Sequence, residues 1–489
     1  MSLISVTNLT FAYEGSYDNI FENATFQIDT DWKLGFTGRN GRGKTTFLHL
    51  LTGKHEYRGS ISAPGIKFKY FPFQISDEAL TTEEIIAQIS PGYEHWQLVR
   101  ELSLLDVNEE VLYRAFNTLS GGEQTKVKLA ALFLKDDNYL LIDEPTNHLD
   151  QNGRQILERY LNSKKGFILV SHDRAFLDGC VSHVLSINKA NIEVRKGNFS
   201  SWLFNKERQD EFERATNERL QKDIKRLEKA AKRTAKWSDK VEETKKEAYD
   251  SGYVGARAAA MMKRSKAIEH RQQSAIEEKS ALLKNIDYAS GLKLSQLEYH
   301  KNRYLALSAV SIAFFKKNIC QNITFDVSQG DRVLLQGRNG SGKSSLLKLI
   351  CGIESNLTHT GEVAVGSGLK ISYVSQDTSF LKGNLTDYAQ YHGIDESLFK
   401  AILRKLDFLR VQFEKDMRDF SGGQKKKVLI ARSLCEKAHL LVWDEPLNFI
   451  DVLSRIQIEN LLLEFKPTIL FVEHDRVFCE KIATKTVML

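Results

Sequence analysis

The stretch GRNGRGKTT, residues 38–46, decides the fold, and it returns as GRNGSGKSS at residues 337–345. Three spaced glycines followed by Lys and then Thr or Ser give the spacing of a phosphate-binding loop. The glycines let successive backbone N–H groups turn toward one anion, and the helix that follows favours negative charge at its N-terminus. One match is only suggestive, but two matches in register are strong.

Three further motifs recur at the same offset of about 300 residues, which indicates an internal repeat. The sequence LSGGEQ at 119–124 returns as FSGGQK at 420–425, LLIDEPTNHLD at 140–150 as LVWDEPLNFID at 441–451, and SHDRAF at 171–176 as EHDRVF at 473–478. Two copies of one α/β domain explain the series. We predict the first copy at residues 1–200, a linker at 201–292 and the second copy at 293–489.

The linker has the composition of a long helical segment. No proline occurs between Pro145 and Pro446, and no glycine between Gly197 and Gly252. Apolar or small residues follow a heptad spacing, which is typical of a coiled coil; they are Leu220, Ile224, Leu227, Ala231, Thr234 and Val241. We predict an antiparallel hairpin of helices at about 205–248 and 257–289, with its tip near 249–257. The alternative is a charged, disordered linker.

Composition and charge restrict the function classes. The chain is 42% hydrophobic and 27% charged, and no apolar run reaches the ~20 residues that a membrane-spanning helix needs. The N-terminus lacks a secretory signal pattern, and the five cysteines show no CxxC spacing, so we expect a cytoplasmic protein with reduced thiols. Between residues 220 and 275, bases outnumber acids by more than the net charge of +6 of the whole chain. Attraction to polyanions is therefore expected in the linker.

The phosphate loops predict sites for ATP and Mg²⁺. Lys44 and Lys343 are expected to reach the β- and γ-phosphates, while the hydroxyls of Thr45 and Ser344 bind the metal. The residues predicted to hold phosphate are Gly38, Arg39, Asn40, Gly41, Arg42, Gly43, Lys44, Thr45 and Thr46 in the first copy, and Gly337, Arg338, Asn339, Gly340, Ser341, Gly342, Lys343, Ser344 and Ser345 in the second.

Paired carboxylates follow an apolar strand in each copy. Asp143 and Asp444 suit Mg²⁺ held through water, and the next residues, Glu144 and Glu445, can orient and polarise an attacking water. Adjacent carboxylates are more often a surface accident, but here both pairs recur at the same distance after SGG. The histidines of the two HDR motifs, His172 and His474, follow another apolar strand and are predicted to sense the γ-phosphate.

These motifs together resemble the ATP-binding cassette superfamily, whose distinguishing signature is LSGGQ. The resemblance implies an ATP sandwich, in which the signature of one cassette closes over nucleotide held by the other. The signature residues are Ser120, Gly121 and Gly122, which would face Lys343, and Ser421, Gly422 and Gly423, which would face Lys44. The resemblance also implies Q-loop residues that contact Mg²⁺ (Gln74 and Gln376), aromatics on adenine (Tyr13 and Phe314) and a D-loop at Asp150.

The order of the segments is similar to that of the ABC-F family of ribosome-binding translation factors. Both cassettes are uninterrupted, and the predicted hairpin lies between them. The resemblance implies a monomer with an intramolecular ATP sandwich that binds the exit site of a 70S-type ribosome and contacts large-subunit rRNA and P-site tRNA. Details of the linker and of WDEPLNFID resemble the antibiotic-resistance subgroup that acts against lincosamides, streptogramin A and pleuromutilins. A housekeeping translation factor and the ATPase subunit of a drug exporter are the alternatives.

The predicted hairpin tip carries one aromatic residue and a following set of bases. Tyr253 lies between Gly252 and Gly255 and could stack on an unpaired base, while basic side chains neutralise phosphates. The bases are Arg257, Lys263, Arg264 and Lys266. The alternative is an ordinary solvated turn of a helical hairpin.

Overall fold

The structure is a computed structural model that describes residues 2–13, 19–135, 138–147, 149–187, 192–246, 268, 296–314, 317–338, 340–353, 357–408 and 410–489. The chain divides into two units, Met1–Ser200 with Gly291–Leu489, and Ser201–Ser290. Both repeats therefore belong to the first unit. The linker boundaries predicted from the sequence stay predictions.

The first repeat is a two-sheet α/β domain. A three-stranded antiparallel sheet has the order β2-β1-β4, and a six-stranded sheet has the order β5-β6-β7-β3-β8-β9. The strands are β1 Leu3–Phe11, β2 Phe21–Asp29, β3 Lys33–Gly38, β4 Arg58–Ser62, β5 Lys67–Phe71, β6 Asn138–Asp143, β7 Phe167–Val170, β8 His183–Ile187 and β9 Ile192–Lys196. All pairs in the larger sheet are parallel except β8 with β9.

The described residues of the first repeat also form six α-helices. They are α1 Lys44–Leu51, α2 Thr82–Ile89, α3 His95–Leu104, α4 Gly121–Phe133, α5 Gln151–Asn162 and α6 Arg174–Cys180, with 3₁₀ turns at Glu109–Tyr113 and Phe116–Thr118. Phe47 anchors α1 because its ring meets Phe36 of β3 at 5.7 Å and Phe26 of β2 at 5.4 Å. The helix that follows the phosphate loop is thereby fixed to both sheets.

The second repeat has the same plan. Its antiparallel sheet has the order β11-β10-β13, and its parallel sheet has the order β14-β15-β16-β12-β17. The strands are β10 Arg303–Phe314, β11 Lys317–Ser328, β12 Arg332–Gln336, β13 Leu357–Val365, β14 Ile371–Val374, β15 Leu440–Asp444, β16 Ile469–Val472 and β17 Lys485–Met488. The predicted pair of α/β cassette domains is confirmed.

One long helix, α7 Phe199–Lys246, separates the repeats in the chain. It begins before the predicted start at 205. The second predicted helix and the tip lie outside the described residues, so the hairpin stays a prediction. The remaining helices belong to the second repeat: α8 Lys343–Ile350, α9 Leu385–Tyr391, α10 Glu396–Lys405, α11 Gly422–Cys435, α12 Val452–Phe465 and α13 Arg476–Ile482, with 3₁₀ turns at Arg410–Glu414 and Met417–Asp419.

The order of the parallel strands places the predicted catalytic motifs together. In the first repeat β6, β7 and β3 are neighbours, so their carboxyl ends meet at one edge of the sheet. The acidic motif ends β6, the histidine motif follows β7, and the phosphate loop follows β3. The strands β15, β16 and β12 repeat this arrangement. No described helix combines the length and the apolar character that crossing a bilayer requires.

Candidate active sites

Left-handed glycines shape the phosphate loops. Gly41 and Gly43 have φ of 79° and 89°, and Gly340 and Gly342 have 80° and 91°. A Cβ at Gly43 would lie 2.4 Å from Cγ2 of Ile20, so the position excludes a side chain both by conformation and by space. Backbone of this kind forms concave sites for anions.

The two loop lysines are buried and fold back on their own loops. Nζ of Lys44 donates to the carbonyls of Gly38 at 2.7 Å and Arg39 at 3.2 Å. Nζ of Lys343 donates to Gly337 and Arg338, both at 2.9 Å. Burial lowers the pKa of each ammonium, and nearby carboxylates oppose that shift. A buried cation whose direct partners are neutral carbonyls is suited to an incoming anion.

A hydroxyl in the second loop supports the same assignment. The Oγ of Ser341 is buried and has no hydrogen-bond partner among the described residues. Buried polar atoms in folded proteins nearly always have partners, so an orphan in a phosphate loop suits a ligand that can accept its hydrogen bond. The loop residues present therefore fit a polyphosphate.

The predicted metal-binding side chains meet in both repeats. Oγ1 of Thr45 donates to Oδ2 of Asp143 at 2.8 Å, and Oγ of Ser344 donates to Oδ1 of Asp444 at 3.0 Å. Burial raises the pKa of both aspartates, and these hydrogen bonds oppose the rise. Hydroxyl and carboxylate oxygens are the ligands that Mg²⁺ prefers, so the donor set fits this metal.

The two glutamates leave the strand conformation, which the sequence did not predict. Glu144 and Glu445 have φ of 51° and 46°, a strained region for a residue with a side chain. Their backbone N–H groups donate to Val170 at 2.9 Å and Val472 at 3.1 Å, which holds the bend against the next strand. Successive side chains of a regular strand point to opposite faces of the sheet. The kink interrupts this pattern, so the side chains of Asp143 and Glu144 are not forced onto opposite faces.

Each glutamate faces the histidine of its own repeat. Nε2 of His172 lies 3.3 Å from Oε1 of Glu144, and Nε2 of His474 lies 3.4 Å from Oε1 of Glu445. The acidic motif and the HDR motif are separate in the chain, but a side chain of each forms a pair in both sites.

The protonation of the two glutamates differs. Burial, reinforced by Asp143, raises the pKa of Glu144 to about 8. Burial would also raise the pKa of Glu445, but hydrogen bonds and the charge of His474 hold it below its ordinary value. Nδ2 of Asn448 and Nε2 of Gln376 donate to its Oε2 at 2.6 Å and 2.8 Å.

The second signature lies against the first phosphate loop. Nδ2 of Asn40 donates to the carbonyl of Phe449 at 2.8 Å. A Cβ on Gly423 would lie 2.3 Å from that carbonyl and 3.2 Å from Nδ2 of Asn40. The guanidinium of Arg39 also forms an ion pair with Asp407. The structure therefore brings residues of the second cassette to the phosphate loop of Lys44, and we call this place site 1.

The site around Lys343, here called site 2, has other contacts between the repeats. Nε2 of Gln336 donates to Oε1 of Gln151 at 2.8 Å. Nη1 of Arg154 donates to the carbonyl of His474 at 3.2 Å. Asn339 and His148, which correspond to Asn40 and Phe449, lie outside the described residues.

The signature serines cap helices. Ser120 accepts from the backbone N–H of Glu123, and Ser421 accepts from that of Gln424, both at 3.3 Å. Each residue at the third helical position bonds back to the serine N–H, which completes a capping box. The sequence S-G-G-E/Q thus fixes the helix start whose N-terminal N–H groups suit an anion. We did not predict this role.

The remaining predicted residues are placed as follows. The hydroxyl of Tyr13 hydrogen-bonds Oγ1 of Thr46 at 2.8 Å, and its ring is partly exposed beside the first phosphate loop. Gln74 is exposed, whereas Gln376 reaches Glu445. Asp150 and Asp451 cap α5 and α12. The side chains of Phe314, Asn339, Tyr253, Arg257, Lys263, Arg264 and Lys266 lie outside the described set.

A buried ion network between the repeats was not predicted from the sequence. Arg174, in the first HDR motif, reaches Glu459 at 2.7 Å and Asp475 at 3.6 Å. Asp475 also pairs with Arg455 at 3.1 Å. The repeated arginines of HDR were visible in the sequence, but only their histidines were assigned a role.

Comparison with known proteins agrees with this geometry. The family model described as "ABC transporter" matches residues 21–147 and 320–448, just over half of the chain. The chain is 30% identical to the ribosome protection protein VmlR of Bacillus subtilis, covering 98% of this chain and 85% of VmlR. It is 27% identical to the energy-dependent translational throttle protein EttA of Haemophilus influenzae, covering 92% and 86%.

Solved structures support the fold alone. A crystal structure of archaeal ribosome recycling factor aABCE1 with the ribosomal stalk protein aP1 matches with a TM-score of 0.65 at 16% identity, covering 98% of this chain and 87% of the other. The structure titled RNase-L Inhibitor matches with a TM-score of 0.62 at 17% identity and the same coverage. The chain belongs to the ABC-F family of ATP-binding cassette proteins, and it is an ATPase.

Proposed function

We propose that this ATPase binds the exit site of a 70S-type ribosome in its ATP-closed form and protects the ribosome from antibiotics, and that ATP hydrolysis releases it. In this proposal the linker lies against P-site tRNA and large-subunit rRNA near the peptidyl-transferase centre. The observation that carries it is the order of the chain. A long helix, Phe199–Lys246, follows one cassette and precedes another, whose signature residue Gly423 lies beside Asn40 of the first phosphate loop.

The chemistry of each site follows from its own residues. Lys44 and Lys343 would bind the phosphates, while Glu144 and Glu445 orient the attacking water and the paired histidines hold the glutamates in place. Bound Mg²⁺ would neutralise phosphate charge. The residues that would hold it are Thr45, Gln74 and Asp143 in site 1, and Ser344, Gln376 and Asp444 in site 2.

Closure of the cassettes would depend on ATP because both sites lie between the repeats. Gly423 comes close to the phosphate-loop residue Asn40 across the interface. A nucleotide held by Lys44 would therefore add contacts to the second cassette. Loss of the γ-phosphate would remove some of them and favour opening, which is how hydrolysis would release the protein.

The names of two relatives support the ribosome as the partner. VmlR is named a ribosome protection protein, and EttA a translational throttle protein. The basic excess within residues 220–275 suits RNA, since a polyanion attracts clustered bases. Tyr253 and the bases Arg257, Lys263, Arg264 and Lys266 are proposed to contact RNA at the tip. Lincosamides, streptogramin A and pleuromutilins are the proposed drugs.

The decisive variant is Glu144→Gln with Glu445→Gln. We expect it to retain ATP binding, to lose turnover by at least about 100-fold, and to co-sediment with ribosomes when ATP is present. The wild type with ADP is the matched control and should remain in the supernatant. If the double variant turns over ATP like the wild type, the glutamates are misassigned. If it binds ATP but does not pellet with ribosomes, the proposed partner is wrong.

Growth in drug separates protection from a housekeeping role in translation. Cells that express the wild type should grow at higher concentrations of a lincosamide or pleuromutilin, and Tyr253→Ala at matched expression should lose most of this protection. A loss of ~1–3 kcal/mol of base stacking corresponds to about 5- to 150-fold in occupancy of the bound tip. If the wild type binds ribosomes but protects cells against none of these drugs, the similarity to EttA favours the housekeeping role.

A further inference from the structure

A tyrosine approaches the metal-binding aspartate in both sites. The hydroxyl of Tyr70 donates to Oδ2 of Asp143 at 3.0 Å, and the hydroxyl of Tyr373 donates to Oδ2 of Asp444 at 3.4 Å. Tyr70 lies on β5, which pairs with β6, and Tyr373 lies on β14, which pairs with β15. Each tyrosine therefore reaches the aspartate from the neighbouring strand of the same sheet.

The tyrosines occupy equivalent positions although their motifs differ in length. Tyr70 pairs in register with Leu141, two residues before Asp143, and Tyr373 pairs with Val442, two residues before Asp444. The Q-loop glutamines follow at different spacings, in YFPFQ and YVSQ. The same strand register therefore gives the same contact between tyrosine and aspartate in both repeats, although the number of residues from the tyrosine to the glutamine differs.

We propose that Tyr70 and Tyr373 are positioning residues that fix the aspartate carboxylates for Mg²⁺ binding. In site 1 the hydroxyls of Thr45 and Tyr70 both donate to Oδ2 of Asp143, and Oδ1 accepts no hydrogen bond from a described residue. Two donors on one oxygen fix the rotation of the carboxylate. Oδ1 of Asp143 is therefore the oxygen that can still accept a hydrogen bond from a group outside the protein.

Site 2 has a looser form of the same arrangement. Ser344 donates to Oδ1 of Asp444, and the longer bond from Tyr373 falls on Oδ2. The two donors are divided between the oxygens, so the tyrosine contributes less to the orientation of the carboxylate. The effect of losing Tyr373 is therefore smaller than that of losing Tyr70.

The ring of Tyr70 is itself held in place. His49 of α1 packs against it with ring centroids 5.2 Å apart, and Nζ of Lys54 lies 5.0 Å from the ring centroid. A phenol hydroxyl is protonated near neutral pH, so it remains a donor. The phenol is thus a fixed donor toward Asp143.

The test of Tyr70→Phe uses the Lys343→Ala, Glu144→Gln background, which leaves site 1 to bind nucleotide without hydrolysis. Tyr373→Phe is tested in the Lys44→Ala, Glu445→Gln background, which leaves site 2. A fluorescent ATP analogue is titrated with MgCl₂, and the metal concentration that gives half-maximal binding is measured. Removing a partner of a metal ligand costs about ten-fold in metal affinity, so this midpoint should rise by that factor. Tyr373→Phe should raise it less, and analogue binding in EDTA should not change.

Tyr139→Phe is the matched control. Tyr139 lies on β6 with Asp143, and its buried hydroxyl has no partner among the described residues. Removing it should leave the midpoint unchanged. A parental midpoint in Tyr70→Phe, or an equal shift in Tyr139→Phe, would overturn the positioning role. The inference rests on the proposed metal site, so analogue binding in the parent that ignores Mg²⁺ would instead refute that site.

Discussion

Arg174 and Arg476 occupy the same position in the two HDR motifs, but their surroundings differ. Arg174 is 5% exposed and pairs with Glu459 of the other cassette at 2.7 Å. Arg476 is 58% exposed and pairs with Glu480 on its own helix at 2.7 Å. Glu158, the counterpart of Glu459, has no ion-pair partner among the described residues. Two cassettes with the same motifs therefore meet through an unequal interface.

The inequality extends to the two ATP sites. Site 1 has the Arg39–Asp407 ion pair across the interface. At site 2 the corresponding residues are Arg338 and Asp106, and the described residues show no ion pair between them. We infer that site 1 is the tighter site, which holds the cassettes together, and that site 2 exchanges nucleotide faster.

The largest expected effect comes from Arg174→Ala. This change leaves the buried carboxylates of Glu459 and Asp475 with Lys481 and Arg455 as their remaining ion-pair partners among the described residues, and removing a partner from a buried ion network costs about 3 kcal/mol. Urea unfolding should show a lower free energy of unfolding for the cassettes. Arg476→Ala, at the exposed counterpart, should change it by no more than about 0.5 kcal/mol. If the two changes lower the free energy of unfolding equally, the predicted difference between Arg174 and Arg476 is wrong.

A smaller effect is expected from Gly423→Ala. The added Cβ would lie 2.3 Å from the carbonyl of Phe449, so the signature helix must shift at a cost of about 2 kcal/mol. The neighbour Gly422 is the control because its Cβ would meet Phe449 at 3.5 Å, an ordinary contact. Binding of a fluorescent ATP analogue at site 1 should weaken more in Gly423→Ala than in Gly422→Ala. Tight binding in Gly423→Ala would show that the signature does not close there.

The smallest expected effect is the coupling between Arg39 and Asp407. A double-mutant cycle of Arg39→Ala and Asp407→Asn, read as analogue affinity, should give about 1 kcal/mol because the pair is partly exposed. Arg338 and Asp106 hold the corresponding positions and, within the described residues, form no such pair. Their cycle should give a coupling near zero. A coupling of the same size in both cycles would contradict the inequality of the sites.

The sequence predicted what is local and repeated. The phosphate loops, the helices that follow them and the apolar strands before the acidic motifs all follow from motif spacing. The pairing of each histidine with its glutamate was not predicted, since the histidines were assigned to the γ-phosphate. The left-handed backbone of Glu144 and Glu445 was not predictable, since nothing in the letters DEP distinguishes a kink from a continuing strand. The contact between Tyr70 and Asp143 depends on strand register, which the sequence does not give.

Contacts between the cassettes could not be predicted from the sequence, for a different reason. Arg174 and Glu459 are far apart in the chain. Each lies in a stretch of sequence that could equally form a helix on the surface of the protein. Only the packing of α6 near α12 and α13 shows that this arginine is buried and that Arg476 is exposed. The asymmetry is a property of tertiary packing, whereas the repeat is a property of the sequence.

Release of nucleotide from each site separately tests the inequality most directly. Lys343→Ala with Glu144→Gln leaves site 1 as the binding site, and Lys44→Ala with Glu445→Gln leaves site 2. A fluorescent ATP analogue would be chased with excess ATP in each variant. We predict release from site 1 to be slower by about ten-fold, the ratio that roughly 1.4 kcal/mol of additional interface contact gives. Equal release rates, or slower release from site 2, would contradict the account.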